Sequence, residues 1–227
     1  MGLFGRSGKR GDHREFAVIG LGRFGSSVAL TLTELGYTVV GLDRDPDLAQ
    51  RYSTDLAQTA SLDTTDREAL KKVDVTAFAA VIVAIGVDFE SSILTTVALK
   101  ELGVTRVVAK AATKTQGEIL RRIGADEVVL PEMDMGAWVA QRLINPEIHE
   151  EIELAPNQQL AVVAVPKLYA SAELAHALHR HGGLRCLALV RGETVTTPVP
   201  GKTRLQAGDR LVLVGNHGEL ETFGSAG

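Results

Sequence analysis

The fold is decided by residues 17–45, which read AVIGLGRFGSSVALTLTELGYTVVGLDRD. An apolar run opens the segment, and Gly20, Gly22 and Gly25 follow it in the spacing G-x-G-x-x-G. An amphipathic pattern and a second β-branched run come next, and Asp43 ends this part 18 residues beyond the third glycine. The order predicts a strand, a tight turn, a helix and a second strand, which is the context that makes the glycine motif specific.

Each part of this motif has a physical role in binding a nucleotide. Gly20 permits the tight turn, Gly22 lets the backbone approach a phosphate chain, and Gly25 lets the helix pack close to the sheet. The helix that starts near Phe24 directs its free N–H groups and its positive dipole end towards the phosphates. Asp43 lies where a carboxylate accepts hydrogen bonds from ribose hydroxyls and repels a 2′-phosphate. The alternative is purely structural, with glycines that only form a turn and an aspartate that only caps an element.

Beyond Asp43 the chain continues to alternate between strand and helix patterns. Further strands are predicted near 59–60 and over 79–86, 104–111 and 127–132, and helices over 47–53, 64–73, 88–103, 114–125 and 135–145. Thr64 or Thr65 is predicted to cap the second of these helices. Six strands separated by helices predict an α/β fold, a doubly wound parallel Rossmann sheet over residues 15–145.

The pattern changes after residue 145. A polar, acidic and proline-containing stretch, residues 146–158, is predicted as a linker. Beyond it, strand patterns around one helix pattern predict a small α+β domain over residues 159–227 with antiparallel, hairpin-connected strands. The start of the chain, residues 1–14, has basic residues but no apolar signal segment, and we expect it to be a flexible cytoplasmic tail.

The composition of the chain argues against several classes of function. The longest apolar run, residues 77–87, is too short to span a bilayer and predicts a buried strand. Cys186 is the only cysteine, so an intramolecular disulfide and a thiolate-cluster metal site are excluded. A net charge of −4 with interspersed signs argues against a nucleic-acid partner, because phosphate-backbone binding needs clustered positive charge.

The groups that a dehydrogenase needs are sparse in the predicted nucleotide domain. Such an enzyme places a general acid or base beside the nicotinamide. No histidine occurs between Arg14 and Glu147, which leaves Lys110 and Tyr37 as candidates for that role. The residues therefore favour ligand binding without turnover.

Two other polar groups are better explained by structure than by chemistry. His176 and His179 share one helical face near His181, but no nearby carboxylate or cysteine completes a metal set, which favours an exposed or packing role. Asp88, Ser91 and Ser92 suggest a nucleophile, but no partner base stands at a recognisable spacing. They stand where a helix begins, and N-terminal capping explains them better.

Several stretches resemble one protein family. VIGLGRFG (18–25), VIVAIGVDFESSILTTVALKELG (81–103) and IGADEVVLPEMDMG (123–136) resemble the amino-terminal domain of RCK-type regulators of Ktr/Trk potassium transport. VPGKTRLQAGDRLVLVGNHGELETF (199–223) is similar to the carboxy-terminal domain of the same family. The G-R-F-G variant and the P-E-x-D-M-G stretch are more specific than the glycines alone, and the likeness covers nearly all of residues 15–224.

The resemblance implies a regulator without enzymatic activity. In this family a homo-oligomeric ring, commonly an octamer, lies beneath a membrane potassium pore at the inner face of the plasma membrane. Nucleotide exchange in the amino-terminal domains gates that pore. The implied ligand is ATP or ADP, with NAD(H) as an alternative, and the implied partner is a membrane potassium-pore subunit. Some relatives bind cyclic di-AMP between carboxy-terminal domains, and no residue of this chain settles that point.

The resemblance also implies roles for individual residues. It identifies a phosphate loop made of Gly20, Gly22, Arg23, Phe24 and Gly25. Asp43 would hold the ribose, with Asp45 nearby towards ribose or adenine. Lys110 matches a position that faces the nucleotide, and Glu132 matches an acidic residue near the γ-phosphate that helps to hold a cation, Mg²⁺ or Ca²⁺. Asp45 and Arg44 leave the preference among ATP, ADP and NAD(H) open.

Three functions remain compatible with the sequence. They are a cytosolic nucleotide-sensing gating subunit, an NAD-dependent oxidoreductase and a nucleotide-stabilised scaffold without gating. The sparse acid and base groups argue against the second, whereas only a pore partner separates the first from the third. The apolar helix predicted over residues 135–145 either offers Trp138 and Leu143 to a partner subunit or simply closes the core.

Overall fold

A computed structural model describes residues 14–144 and 146–226 of the chain. The chain consists of two compact units, whose boundary falls between Met135 and Gly136. The tail predicted over residues 1–14 lies outside the described residues except for Arg14. Within the described ranges, no helix has both the length and the apolar character that crossing a membrane requires.

The first unit alternates strands and helices as the sequence predicts. In chain order the elements are β1 (Glu15–Ile19), α1 (Arg23–Glu34), β2 (Thr38–Asp43), α2 (Pro46–Arg51), β3 (Gln58–Ser61), α3 (Arg67–Lys72), β4 (Ala80–Val83), α4 (Phe89–Leu102), β5 (Val107–Lys110), α5 (Lys114–Arg122), β6 (Glu127–Val129) and α6 (Pro131–Ile144), the last of which continues past the unit boundary. The strands form one parallel sheet in the order β3-β2-β1-β4-β5-β6. The predicted doubly wound parallel sheet is confirmed.

The sheet is buried on both of its faces, as a parallel sheet requires. Along β1, Ala17 and Ile19 point into one core together with Val83 and Leu99. Val18 points the other way, into a second core beneath α1. The order of the strands reverses between β1 and β4, so a crevice opens at the carboxyl ends of these two strands.

The N-terminal cap of α3 differs from the predicted one. Asp66 caps this helix by accepting a hydrogen bond of 2.8 Å from the Glu68 N–H, so the prediction of Thr64 or Thr65 was wrong. Thr64 is instead buried, and its hydroxyl is hydrogen-bonded at 2.9 Å to the hydroxyl of Thr95 on α4. This partner is 31 residues away in the chain, so a local pattern does not reveal it.

The junction of β6 and α6 also differs from the prediction. The strand was expected to continue to residue 132, but it ends at Val129, and the helix begins at Pro131. Proline suits the first helical position, because its missing N–H would have no intrahelical partner there. Glu132 therefore lies in the first turn of α6 and not on a strand.

The second unit is an antiparallel sheet with two helices, which confirms the predicted α+β class. Its elements are β7 (Ile148–Ala155), β8 (Gln158–Ala164), α7 (Leu174–His179), β9 (Arg185–Arg191), β10 (Thr194–Thr196), β11 (Arg210–Gly215) and α8 (His217–Gly224). The strands are arranged in the order β10-β9-β11-β8-β7. Leu220 and Phe223 of α8 are fully buried against Val163 and Leu211 of the sheet.

Most of the segment predicted as a linker, residues 146–158, is a strand. β7 pairs with β8 in antiparallel register from Ile148 opposite Val163 to Ala155 opposite Gln158. Ile148 is the one side chain of β7 that is buried. β7 lies at the edge of the sheet, and Glu150 interrupts the alternation of its apolar residues Ile148, Ile152 and Leu154, which weakens the pattern that predicts a strand.

Candidate nucleotide-binding site

A cleft of about 300 Å³ opens at the carboxyl ends of the central strands of the first unit. Its lining comes from four stretches of chain, within residues 19–22, 43–48, 63–65 and 84–91. Clefts of this volume hold small-molecule ligands, and this edge is where doubly wound sheets bind them. Of the predicted site residues, the cleft is lined by Gly20, Gly22, Asp43 and Asp45.

The three glycines of the motif meet three different structural needs. Gly20 has a φ of +92°, and its N–H donates a hydrogen bond of 2.7 Å to the Leu42 carbonyl oxygen. A Cβ on Gly25 would collide with the Gly20 carbonyl oxygen and lie 2.9 Å from the Ala84 Cβ, so α1 packs here because a side chain is absent. A Cβ on Gly22 would meet nothing within 4 Å, which leaves open space where a phosphate chain would lie.

The N-terminus of α1 is open to an anion. Gly22 is the N-cap residue, no side chain of the described residues caps the helix, and its first turn contains no acidic residue. The first N–H groups of a helix have no intrahelical partner, and together with the helix dipole they attract a phosphate or a carboxylate.

Asp43 connects the glycine loop to the turn after β2. Its Oδ2 accepts a hydrogen bond of 2.6 Å from the Leu21 N–H, and its Oδ1 accepts one of 2.9 Å from the Asp45 N–H. Each carboxylate oxygen keeps a second lone pair, so Asp43 can still accept hydrogen bonds from ribose hydroxyls. Asp45 has a capping role, since its side chain accepts a hydrogen bond of 2.9 Å from the Asp47 N–H at the start of α2.

The remaining predicted residues form a second polar group near the N-terminus of α1. Lys110 at the end of β5 donates a hydrogen bond of 2.6 Å to Glu132, and its Nζ lies 5.7 Å from the centre of the Phe24 ring. This hydrogen bond lowers the pKa of Glu132, and the charge of Arg23 contributes in the same direction. Lys110 also approaches the cleft, because a Cβ on Gly86 would lie 3.7 Å from its Nζ.

The cleft includes polar residues to which the sequence analysis gave no binding role. Asp63 follows β3 and Asp88 follows β4, and both line the cleft. Their positions after two strands could have identified them, because the carboxyl ends of parallel strands lie at the same edge of the sheet, where ligands bind. Asp88 also caps α4, as predicted, by accepting hydrogen bonds from the N–H (3.0 Å) and the hydroxyl (2.6 Å) of Ser91.

The two candidate acid and base groups, Tyr37 and Lys110, lie in different surroundings. Tyr37 precedes β2, at the end of that strand opposite Asp43, and its ring packs edge-on against Phe16 at 5.3 Å. Lys110 is engaged by Glu132. The structure therefore places one candidate away from the cleft and gives the other an ion-pair partner.

The predicted packing role of a histidine in the second unit is confirmed for His181. Its ring is buried and hydrogen-bonded at 3.1 Å to the Tyr169 hydroxyl, with Phe223 edge-on at 5.4 Å. His176 and His179 lie on the exposed side of α7. Within residues 14–144 and 146–226, no three histidine, cysteine or acidic side chains are grouped as a metal site.

Comparison with known proteins agrees with this geometry. The sequence matches the family model of the TrkA-N domain over residues 16–131. The chain belongs to the TrkA-N domain family. Proteins that are similar along nearly the whole chain include the Ktr system potassium uptake protein C of Bacillus subtilis, 34% identical over 211 residues that cover 92% of this chain and 96% of the relative. The Ktr system potassium uptake protein A of Vibrio alginolyticus is 32% identical over 213 residues, which cover 93% and 96%.

Solved structures show the same TrkA-N fold and extend the likeness into the second unit. The GsuK RCK domain superposes with a TM-score of 0.64 at 18% identity, covering 94% of this chain and 48% of that chain. The GsuK channel bound to NAD has a TM-score of 0.62 at 19% identity, covering 92% and 38%. This chain thus spans less than half of those solved chains, and at such identities the likeness shows the fold. The resemblance of this TrkA-N protein to the RCK-type family is confirmed.

Proposed function

We propose that this chain is a cytosolic nucleotide-sensing subunit that gates a membrane potassium transporter and catalyses no reaction. The observation that carries the proposal is the cleft between the open N-terminus of α1 and the Asp43 carboxylate. One element attracts phosphates and the other accepts hydrogen bonds from a ribose. The Ktr relatives are named potassium uptake proteins, and this supports the part of the proposal that concerns potassium transport.

The layout of the site favours a ligand with an extended phosphate chain. Asp43 ends β2 and Lys110 ends β5, three strand spacings apart in the sheet, or about 14 Å. A nucleotide whose ribose binds at Asp43 and whose phosphates cross the N-terminus of α1 therefore extends towards Arg23 and Lys110. The terminal phosphate of ATP reaches further along this line than that of ADP, which gives these cations the means to distinguish the two nucleotides.

The proposal also assigns a role to Glu132, which binds a cation beside the terminal phosphate of ATP. A carboxylate beside a triphosphate is repelled unless a cation lies between them. Mg²⁺ and Ca²⁺ suit this position, because they bind oxygen ligands and Mg²⁺ in particular needs few protein carboxylates beside the phosphates. Without ligand, Lys110 balances the charge of Glu132. With ATP, Glu132 leaves Lys110, which then faces the phosphates, and the cation becomes the new partner of Glu132.

Assembly into a homo-oligomeric ring is supported by the surface of α6. No side chain of this helix is buried within the described chain. Its exposed apolar side chains are Met133, Met135, Trp138, Val139, Leu143 and Ile144. Exposed apolar surface of this kind is what a partner subunit covers. Light scattering at micromolar concentration with ATP present is expected to show a closed oligomer, for which we propose eight copies, and a monomer would contradict this part.

Two measurements test the function. Calorimetric titration of ATP, ADP, NAD⁺, NADH and cyclic di-AMP into the purified chain is expected to give the tightest binding for ATP or ADP. Potassium uptake is then measured in cells that express a Ktr-type pore subunit with and without this chain, and the chain is expected to change the flux. Nucleotide binding without a change in flux would indicate a scaffold. Tight binding of NAD(H) alone would favour the oxidoreductase.

A further inference from the structure

An arginine lies across the mouth of the candidate nucleotide cleft. The Arg44 Nη1 is 3.7 Å from the Asp88 Oδ2. Arg44 directly follows β2, and Asp88 precedes α4 after the end of β4. Because β1 lies between β2 and β4 in the sheet, this ion pair passes over the crevice at the end of β1. The Arg44 backbone is fixed as well, since its carbonyl oxygen accepts a hydrogen bond of 3.2 Å from the Ser61 hydroxyl.

The position of this pair corresponds to the base end of a bound nucleotide. The phosphates belong at the N-terminus of α1 and the ribose at Asp43, so the base has to occupy the rest of the cleft. That part is lined by Leu48 and Val87, which offer apolar surface, and by Asp63 and Asp88. Arg44 lines the same part of the cleft.

The charge of Arg44 is already balanced in this structure. Asp88 has a lowered pKa, chiefly because of the hydrogen bond from the Ser91 hydroxyl, and Arg44 adds to the effect. Asp63 has a lowered pKa, chiefly because of the hydrogen bond from the Thr65 hydroxyl, and Arg44 adds there too. A guanidinium with carboxylates near it is a poor receptor for a phosphate on the ribose, but the Arg44 side chain is 72% exposed, which leaves room for a ring against the guanidinium.

We propose that Arg44 determines base specificity: its guanidinium, held over the cleft by Asp88, covers the flat face of a purine. The proposal rests on the proposed nucleotide-binding function. A planar guanidinium stacks on aromatic rings, which the ammonium group of a lysine does not do. A purine offers a larger face to it than a pyrimidine.

The test is calorimetric titration of ADP and CDP into the whole chain and its variants. Arg44→Ala is expected to weaken ADP binding about two- to tenfold and CDP binding less. Arg44→Lys is expected to behave like Arg44→Ala, because it keeps the charge and lacks the flat face. Arg51→Ala, which removes an exposed arginine at the end of α2, is the matched control and is expected to bind both ligands as the unaltered chain does.

Asp88→Asn tests the partner of Arg44. Asparagine caps a helix about as well as aspartate, so α4 keeps its cap while the ion pair is lost. The expected result is a loss of ADP affinity smaller than that of Arg44→Ala, with a reduced preference for ADP over CDP. Unchanged binding in Asp88→Asn would overturn the role of Asp88.

Three results would overturn the role of Arg44. They are equal losses of ADP and CDP affinity in Arg44→Ala, full rescue by Arg44→Lys, and a larger loss for 2′,5′-ADP than for ADP, which would identify a phosphate receptor. Each presupposes that the unaltered chain binds nucleotides. If it binds none, the proposed function fails and the failure is distinguishable from that of the base-specificity proposal.

Discussion

Lys110 and Glu132 form a hydrogen-bonded ion pair with an Nζ to Oε1 distance of 2.6 Å, which joins the end of β5 to the first turn of α6. The exposed fraction is 12% for the Lys110 side chain and 65% for the Glu132 side chain. Lys110 is therefore held in place by packing, whereas Glu132 is free to change partners. This asymmetry makes Glu132 the member that a ligand rearranges.

Glu132→Gln is expected to abolish the dependence of ATP affinity on Mg²⁺ or Ca²⁺ and to leave ADP affinity nearly unchanged. Glutamine keeps the shape of the side chain but lacks the charge that attracts a divalent cation. The measurement is titration of ATP and ADP with and without each cation. Glu127→Gln, which removes an exposed carboxylate paired with Arg106, is the control.

A purely structural role of Glu132 at the N-terminus of α6 predicts a different result for Glu132→Gln. If Glu132 only complements the dipole of α6, the metal dependence survives. The thermal stability then falls instead, by about 0.3–1 kcal/mol in free energy of unfolding.

Two alanine substitutions in the glycine loop are expected to affect different properties, one the stability of the fold and the other the affinity for ATP. Gly25→Ala places a Cβ against the Gly20 carbonyl oxygen and the Ala84 side chain, so the first unit is expected to lose about 3 kcal/mol of stability or more. Gly22→Ala meets no atom within 4 Å and keeps an ordinary backbone angle, so the fold is expected to survive while ATP affinity falls. Thermal melts and calorimetry measure the two effects. Undiminished ATP affinity in a folded Gly22→Ala variant would show that the phosphates do not pass there.

Asp43→Ala is expected to weaken adenine-nucleotide binding by about 1.5–3 kcal/mol through the lost hydrogen bonds to the ribose. The structure adds a second effect, because the Leu21 N–H also loses its acceptor. An unpaired buried donor costs about 1–3 kcal/mol, so a lower melting temperature of the folded variant is expected as well. Calorimetry and thermal melts separate the two losses, and Asp55→Ala, an exposed aspartate outside the cleft, is the control. Unaltered affinity in folded Asp43→Ala would remove Asp43 from the binding site.

Arg23→Ala is expected to lower the affinity for ATP more than the affinity for ADP. Arg23 is the first residue of α1, and its charge is felt by Glu132, which places it on the side of the terminal phosphate. A guanidinium can bind phosphate oxygens through two parallel hydrogen bonds. The ratio of the two dissociation constants is the quantity to measure. Equal losses would place Arg23 at the inner phosphates.

The stability of the second unit is expected to fall as the pH rises through the pKa of His217. The His217 ring lies 3.0 Å from Glu151 on β7 and 3.1 Å from Glu221 on α8, and Gln159 on β8 accepts at 3.1 Å. The hydrogen bond to Glu151 is the main cause that raises the pKa of His217, and the charge of Glu221 adds to it.

A raised pKa in the folded state fixes the sign of this dependence. The stabilisation is complete below the unfolded pKa of about 6.5 and is lost above the folded one. Melting temperatures measured between about pH 6 and pH 8.5 are expected to decline less in His217→Gln than in the unaltered chain. His176→Gln, which removes an exposed histidine of α7, is expected to decline as the unaltered chain does. Parallel declines in all three proteins would contradict the prediction.

Sequence analysis missed β7 and α8, and the two were missed for different reasons. β7 pairs with β8 across a two-residue turn, and its apolar alternation is interrupted at Glu150. α8 was not predicted, although Asn216 followed three residues later by Glu219 is a capping signal, and the Asn216 side chain does accept a hydrogen bond of 2.8 Å from the Glu219 N–H. The local signal for β7 was weak, whereas the local signal for α8 was clear.

The sequence by itself determined the doubly wound sheet, the glycine turn, the position of Asp43 at the end of β2 and the change to an antiparallel unit. These features follow from local patterns, because strand and helix periodicity and the conformational freedom of glycine act over a few residues. Only the tertiary structure decided that Lys110 pairs with Glu132, that Arg44 reaches Asp88 and that β7 joins the second sheet. The two ion pairs join segments that are separate in the chain, and the order of the strands, which no local pattern encodes, brings them together. β7 pairs with the next strand along the chain, and what the tertiary structure decides is that this hairpin continues the sheet formed by β9, β10 and β11.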